Sequence, residues 1–181
     1  MSEKPRATTI VPSLVLVNTG HGKGKSSAAF GVMLRALARG WRVAVVQFIK
    51  SGRWKVGEEK IGRQLGVDWL KGGDGFTWES PDLDVSRGRA VAAWALAKAT
   101  IAAGEHKLVV LDEITYPINY GWIDGGEVAA AIRDRPSHVS IVATGRDAPA
   151  ELIEVADTVT EMVKVRHAYD RGIRARRGID Y

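Results

Sequence analysis

Cysteine is absent from all 181 residues, which excludes disulfides and thiolate metal sites. The histidines, His21, His106, His138 and His167, are scattered and lack the paired spacing of a zinc site. No apolar run approaches the ~20 residues that a membrane span requires. Met1–Arg6 is polar and has no apolar core like that of a signal peptide, so a cytoplasmic, reducing location is expected and no membrane partner. Repeats, linkers and low-complexity segments are missing too. Acidic residues are in deficit: 26 Lys and Arg against 21 Asp and Glu leave a net charge of +5 and a pI near 9.6, a balance suited to an anionic ligand. The excess gathers near the C-terminus, at Arg166, Arg171, Arg174, Arg176 and Arg177, either as a solvated face or as an anion-facing element. With 45% hydrophobic and 26% charged residues the chain reads as an ordinary globular protein, long enough for one self-sufficient core. Residues 1–12 read as a short polar tail and 13–181 as a single domain.

Apolar, β-rich runs alternate with helical patterns after that tail. Strands are expected at Leu14–Val17, Val43–Phe48, Leu108–Leu111, Val139–Ala143 and Val159–Val163, with a weaker one at Val67–Leu70. The runs are nearly continuous in Val, Ile and Leu, the pattern of strands buried on both faces. Helices are expected at 26–39, stopped by Gly40, at 58–65, at 82–103, stopped by Gly104, and at 149–155. One more opens with Asp124-Gly125-Gly126-Glu127, at capping-box spacing. Such alternation predicts an α/β fold: a mainly parallel sheet of about six strands with helices on both faces, in three layers. Ligands of such sheets sit beyond the carboxyl ends of the strands.

One of those ends carries Thr19-Gly20-His21-Gly22-Lys23-Gly24-Lys25-Ser26-Ser27, between an apolar strand and a helix. Strand, glycine-rich loop, Gly-Lys-Ser and helix form the arrangement that cradles a polyphosphate. The loop's N–H groups and the positive end of the helix dipole face the anion. Lys25 is placed to reach the terminal phosphates, and the Ser26 hydroxyl to ligate magnesium. The common motif has a glycine five places before Gly24; here that place holds Thr19, with Gly20 one step late and Gly22 added. A second element, Leu108–Leu111 followed by Asp112 and Glu113, reads as the acidic strand end that manages the metal, directly or through water. Together they predict a P-loop NTPase fold of the RecA-like kind, which by itself fixes no reaction.

Further segments narrow the reaction. Gly20–Gly31, Val46-Gln47-Phe48-Ile49-Lys50, Gly75-Phe76-Thr77-Trp78-Glu79, Val110–Glu113, Thr144-Gly145-Arg146, Ala156–Val159 and Gly178-Ile179-Asp180-Tyr181 resemble, in order, the phosphate-loop corrinoid adenosyltransferases of the cobalamin pathway. The shifted glycines are part of that resemblance. It implies transfer of the 5′-deoxyadenosyl group of ATP to the Co(I) centre of a reduced corrinoid, with tripolyphosphate leaving. It implies ATP as co-substrate with Mg2+, an electron donor for Co(II) reduction, and a homodimer. ATP binding then falls to Gly20, His21, Gly22, Lys23, Gly24, Lys25, Ser26, Ser27 and Arg146, with Lys25 catalytic, and the metal to Ser26, Glu113 and Asp112. Phe76 and Trp78 match the aromatics that sit against the corrinoid and keep its lower axial face free. Gln47, Lys50, Tyr116, Asn119, Tyr120 and Trp122 are candidates for the same crevice, whereas Arg35 reads as a solvated or bridging residue. Trp41, Trp54, Trp69 and Trp94 read as core or half-buried anchors. Some members carry a long charged N-terminal extension over the active site; only about a dozen residues precede the first strand here, so that lid is not carried over. Ser26-Ser27 stands for the more usual Thr-Thr and keeps the hydroxyl ligand.

Two other readings compete. An ATPase or small-molecule kinase on the same fold would give phosphate or ADP in place of tripolyphosphate. A nucleic-acid-binding module, motivated by the basic C-terminus, would give tight, salt-sensitive DNA binding and is the least favoured.

Overall fold

A computed structural model describes residues 9–48, 57–71 and 83–180. In chain order the elements are β1 (Val15–Thr19), α1 (Lys25–Ala38), β2 (Val43–Gln47), α2 (Gly57–Gln64), β3 (Asp68–Lys71), α3 (Leu83–Ala103), β4 (Leu108–Asp112), α4 (Thr115–Asn119), α5 (Gly125–Arg133), β5 (Ser140–Thr144), α6 (Ala150–Glu154) and β6 (Thr158–Glu161). The strands form one six-stranded sheet in the order β3-β2-β4-β5-β1-β6. Every pairing is parallel. The three-layer α/β architecture expected from the sequence is therefore the one observed.

Strand alternation divides the core in two. Ala44, Val46, Val109, Leu111, Ile141 and Ala143 face α3, α5 and α6, where they meet Ala93, Trp94, Ala97, Ile101, Ile132 and Leu152. Val43, Val45, Leu108, Val110 and Val142 face the opposite way, onto Ala29, Phe30, Met33 and Ala36 of α1. Burying each such side chain is worth roughly 1.5–3 kcal/mol, so the sheet is fixed from both sides. Trp69 and Trp94 are core residues, as expected.

Helix stops follow the glycine signals. Gly40 and Gly104 take left-handed φ of 70° and 65° just past α1 and α3. At the start of α5, Asp124 caps as expected by accepting from the Gly126 N–H at 2.8 Å. The other half of the capping box is not made: Glu127 turns to Lys98 of α3, 2.8 Å away, so a tertiary ion pair replaces the local bond.

Two expectations need correction. The strand near Val159 is not buried on both faces: β6 is exposed along its whole length because it is an edge strand with only β1 beside it. The stretch after Glu113, where Pro117 signals a local turn, forms the short helix α4 instead. Pro117 stands in its first turn, where the missing N–H has no helical acceptor to lose.

Candidate active site

β1 ends at Thr19, one residue later than the common motif would have it, and the turn into the loop is made by Gly20 at φ 90°. The shifted glycines have a steric cause. A Cβ on either Gly20 or Gly22 would stand 2.6 Å from the Met162 carbonyl oxygen, closer than real contacts allow. Met162 follows β6, and its chain is tied to the loop on both sides: Met162 N–H donates to Thr19 O at 2.8 Å, and Gly22 N–H donates to Met162 O at 2.5 Å. The extra glycine is what lets the loop pass beneath the exit of β6.

Lys25 opens α1 behind Gly24, and its ammonium donates to Gly20 O at 2.8 Å and Gly22 O at 2.7 Å. The loop thus holds its own cation at its mouth. Burial lowers the Lys25 pKa, and the Arg146 guanidinium lowers it further, while Glu113 and Asp147 oppose them. Arg146, Glu113 and Asp147 therefore lie within electrostatic reach of Lys25. Asn18, at the end of β1, steadies the start of α1 by donating from Nδ2 to Lys25 O at 3.2 Å. Ser26 and Ser27 occupy the first turn of α1; Ser26 is half-buried and Ser27 exposed.

Two further loop residues pair with distant segments. His21 Nε2 meets Asp147 Oδ1 at 2.9 Å. Lys23 pairs with Asp180, whose other carboxylate oxygen accepts the Arg176 N–H at 2.7 Å. The segment from Met162 to Asp180 thus begins and ends on the glycine-rich loop. The five arginines it carries are all exposed.

The adjacent carboxylates Asp112 and Glu113 are placed differently. Asp112 is 1% exposed and has both oxygens occupied. Its Oδ1 accepts the Thr144 hydroxyl at 2.8 Å and its Oδ2 the Gln47 amide at 2.9 Å. Glu113 leaves the strand in a left-handed conformation, φ 62°, rare for a residue with a side chain. Burial, reinforced by the charge of Asp112, pushes its pKa up to about 7 against the pull of Lys25 and Arg146. Tyr116 on α4 is raised as well, by burial and then by Glu113.

Sequence reasoning named Lys25, Arg146 and Glu113, and these are brought together. It missed Asn18, Thr144, Asp147 and the contact role of Met162. Single polar residues at strand ends carry no signature of their own, although Thr144 directly precedes the Gly145-Arg146 pair already singled out. The Tyr116 ring on α4 and the Tyr120 and Trp122 rings just beyond it follow one another in tilted contact, with centroids 6.4 and 4.9 Å apart. Asn119 instead holds the Arg146 loop, donating to Asp147 O at 3.0 Å and Arg146 O at 3.3 Å. Phe76, Trp78, Lys50 and Trp54 lie outside the described residues.

With that geometry in place, the comparisons with known proteins decide the family. Residues 12–181 match the model of the ATP:corrinoid adenosyltransferase family BtuR/CobO/CobP. The chain belongs to that family. It is 40% identical to the corrinoid adenosyltransferase CobA of Salmonella typhimurium, covering 93% of this chain and 85% of that protein. It is 44% identical to a corrinoid adenosyltransferase of Pseudomonas aeruginosa, covering 93% and 83% respectively. A corrinoid adenosyltransferase of Sinorhizobium is 42% identical over 99% of this chain and 86% of its own length. Family membership makes this a transferase, an ATP:corrinoid adenosyltransferase. No described helix is long and apolar enough to cross a membrane.

Proposed function

We propose that this protein transfers the 5′-deoxyadenosyl group of ATP to the Co(I) centre of a reduced corrinoid and releases tripolyphosphate. The observation that carries the proposal is the cluster of Lys25, Arg146 and the loop amides at the carboxyl end of β1, in a chain of this family. Cobalt(I) supplies the electron pair. A bond forms between cobalt and the ribose 5′ carbon, the bond from that carbon to oxygen breaks, and its electron pair leaves with the triphosphate. No protein base is required. The protein's tasks are alignment of the carbon with the metal and stabilisation of charge on the departing phosphates.

Lys25 and Arg146 supply that stabilisation, and Gly20–Ser27 form the cradle. Ser26 and Glu113 suit a magnesium ion. Both offer hard oxygen donors, and Glu113 is a half-buried carboxylate whose pKa is raised by desolvation and by the neighbouring charge of Asp112. Among the described residues no group of three or more His, Cys, Asp and Glu could enclose a metal, in keeping with an ion that takes its remaining ligands from phosphates and water. When bound, that ion would neutralise phosphate charge during departure. Asp112 acts from behind, as the anchor of the strand end. Phe76 and Trp78 remain assigned to the corrinoid by family resemblance, as do homodimer formation and an external electron donor for Co(II).

The test mixes the protein with ATP, magnesium and chemically reduced cobalamin and follows the visible spectrum. The expected result is the light-sensitive alkylcobalt spectrum, appearing only with all components. ATP hydrolysis without that spectrum would overturn the proposal.

A further inference from the structure

Three strand ends meet behind Glu113. Thr144 ends β5 and is 0% exposed, Asp112 ends β4, and Gln47 ends β2 and is 6% exposed. The Thr144 hydroxyl donates to Asp112 Oδ1 at 2.8 Å and at the same time accepts the main-chain N–H of Glu113 at 2.9 Å. That N–H belongs to the residue held at φ 62°. A left-handed conformation costs a residue with a side chain about 1–2 kcal/mol, so it persists only where neighbouring contacts impose it. Here one hydroxyl imposes it, and Asp112, braced from its other side by Gln47, fixes the direction of that hydroxyl. The far side of Thr144 is equally confined. Gly145 N–H donates to Asn18 O at 3.2 Å, and a Cβ at Gly145 would lie 1.9 Å from Thr115 Oγ1.

We infer that Thr144 is a positioning residue: its hydroxyl, oriented by Asp112 and Gln47, sets the backbone turn that presents Glu113 to the nucleotide-bound metal. The inference rests on the assignment of the metal to Glu113 and deepens it. Asp112 becomes a fixed acceptor for two donors, not a ligand. The chemistry required at position 144 is a hydroxyl that donates and accepts together, so serine suffices and valine, of nearly the same shape, does not.

The experiment measures Mn2+ binding, as a stand-in for magnesium, by the loss of the free-ion electron paramagnetic resonance signal in the presence of ATP and without corrinoid. Thr144→Val is expected to weaken Mn2+ binding by about 10- to 100-fold, the usual effect of losing a group that orients a metal ligand. Thr144→Ser is expected to restore it to within about threefold. ATP binding without metal should be unchanged in both. If Thr144→Val fails to fold, Gln47→Leu decides, with a smaller loss in the same direction expected. Wild-type Mn2+ affinity in the folded Val or Leu variant, alongside a loss in Glu113→Gln, overturns the inference and leaves the Glu113 assignment standing. Undiminished affinity in Glu113→Gln would instead overturn that assignment.

Discussion

At the amino ends of the strands, Arg42 reaches Asp68 at 3.0 Å and Glu105 at 2.6 Å, and His106 meets Asp68 at 2.7 Å. At the carboxyl ends of the same sheet, the Glu113 carboxylate has no hydrogen-bond or ion-pair partner among the described residues, and its protonation is favoured by burial. Lys25 there binds only main-chain carbonyls. The same residue types thus serve opposite purposes at the two ends. At the amino ends opposite charges neutralise one another, and Asp68 is held below the ordinary carboxylate range, first by its bond to His106 and then by Arg42. At the carboxyl ends like charges crowd together and strain is retained, as expected of a place that completes itself with a ligand.

Substitutions that trade on this contrast should differ in kind as well as in size. Lys25→Ala is expected to have the largest effect, costing on the order of 3 kcal/mol of transition-state stabilisation, or roughly a hundredfold in kcat. The alkylcobalt absorbance assay reads it directly. Glu113→Gln should also lose about a hundredfold in turnover, yet it should stabilise the metal-free protein. Because the folded pKa of Glu113 is raised from 4.5 to about 7, the native state favours the protonated form. Stability from this group is present below pH 4.5 and is lost as pH rises through 7. The Gln variant should therefore melt later than wild type above pH 7, by on the order of 2 kcal/mol, and converge with it below the ordinary carboxylate range. By the same linkage, metal affinity of the wild type should climb with pH and level off above about 7, which a Mn2+ titration from pH 5.5 to 8.5 would show.

Gly22→Ala comes next. Its methyl group would press on the Met162 carbonyl and part the loop from the β6 exit, costing about 1–3 kcal/mol in denaturant titrations. Asp68→Asn should be the mildest, under about 1 kcal/mol and without effect on turnover. Since the Asp68 pKa is lowered, its contribution is present above the carboxylate range and vanishes as pH falls through the folded value. A large activity loss in Asp68→Asn would break the contrast between the two ends.

Much of this was legible in the residues. β1, β2, β4 and β5 announce themselves as runs rich in Val, Ile and Leu, β3 announces itself only weakly, and Gly40 and Gly104 mark helix ends through a conformation other residues resist. The exposure of β6 was not legible, because Val159 looks the same in an edge strand as in a central one. At the site, the glycine loop and Lys25 could be read from spacing, and Arg146 came only through the family resemblance. The division of labour between Asp112 and Glu113 could not. It depends on which carboxylate meets Thr144 and Gln47, residues 32 positions downstream and 65 upstream of Asp112, and only the sheet order brings those together. The reason for Gly22 was equally hidden, since Met162 approaches it from the far end of the chain.

Phosphorus NMR of the products, taken alongside the visible spectrum of the corrinoid, tests the central claim that the loop grips the part of ATP that departs. Intact tripolyphosphate released one for one with alkylcobalt formation is the expected result. ADP with phosphate, or alkylcobalt formation uncoupled from tripolyphosphate, would contradict it.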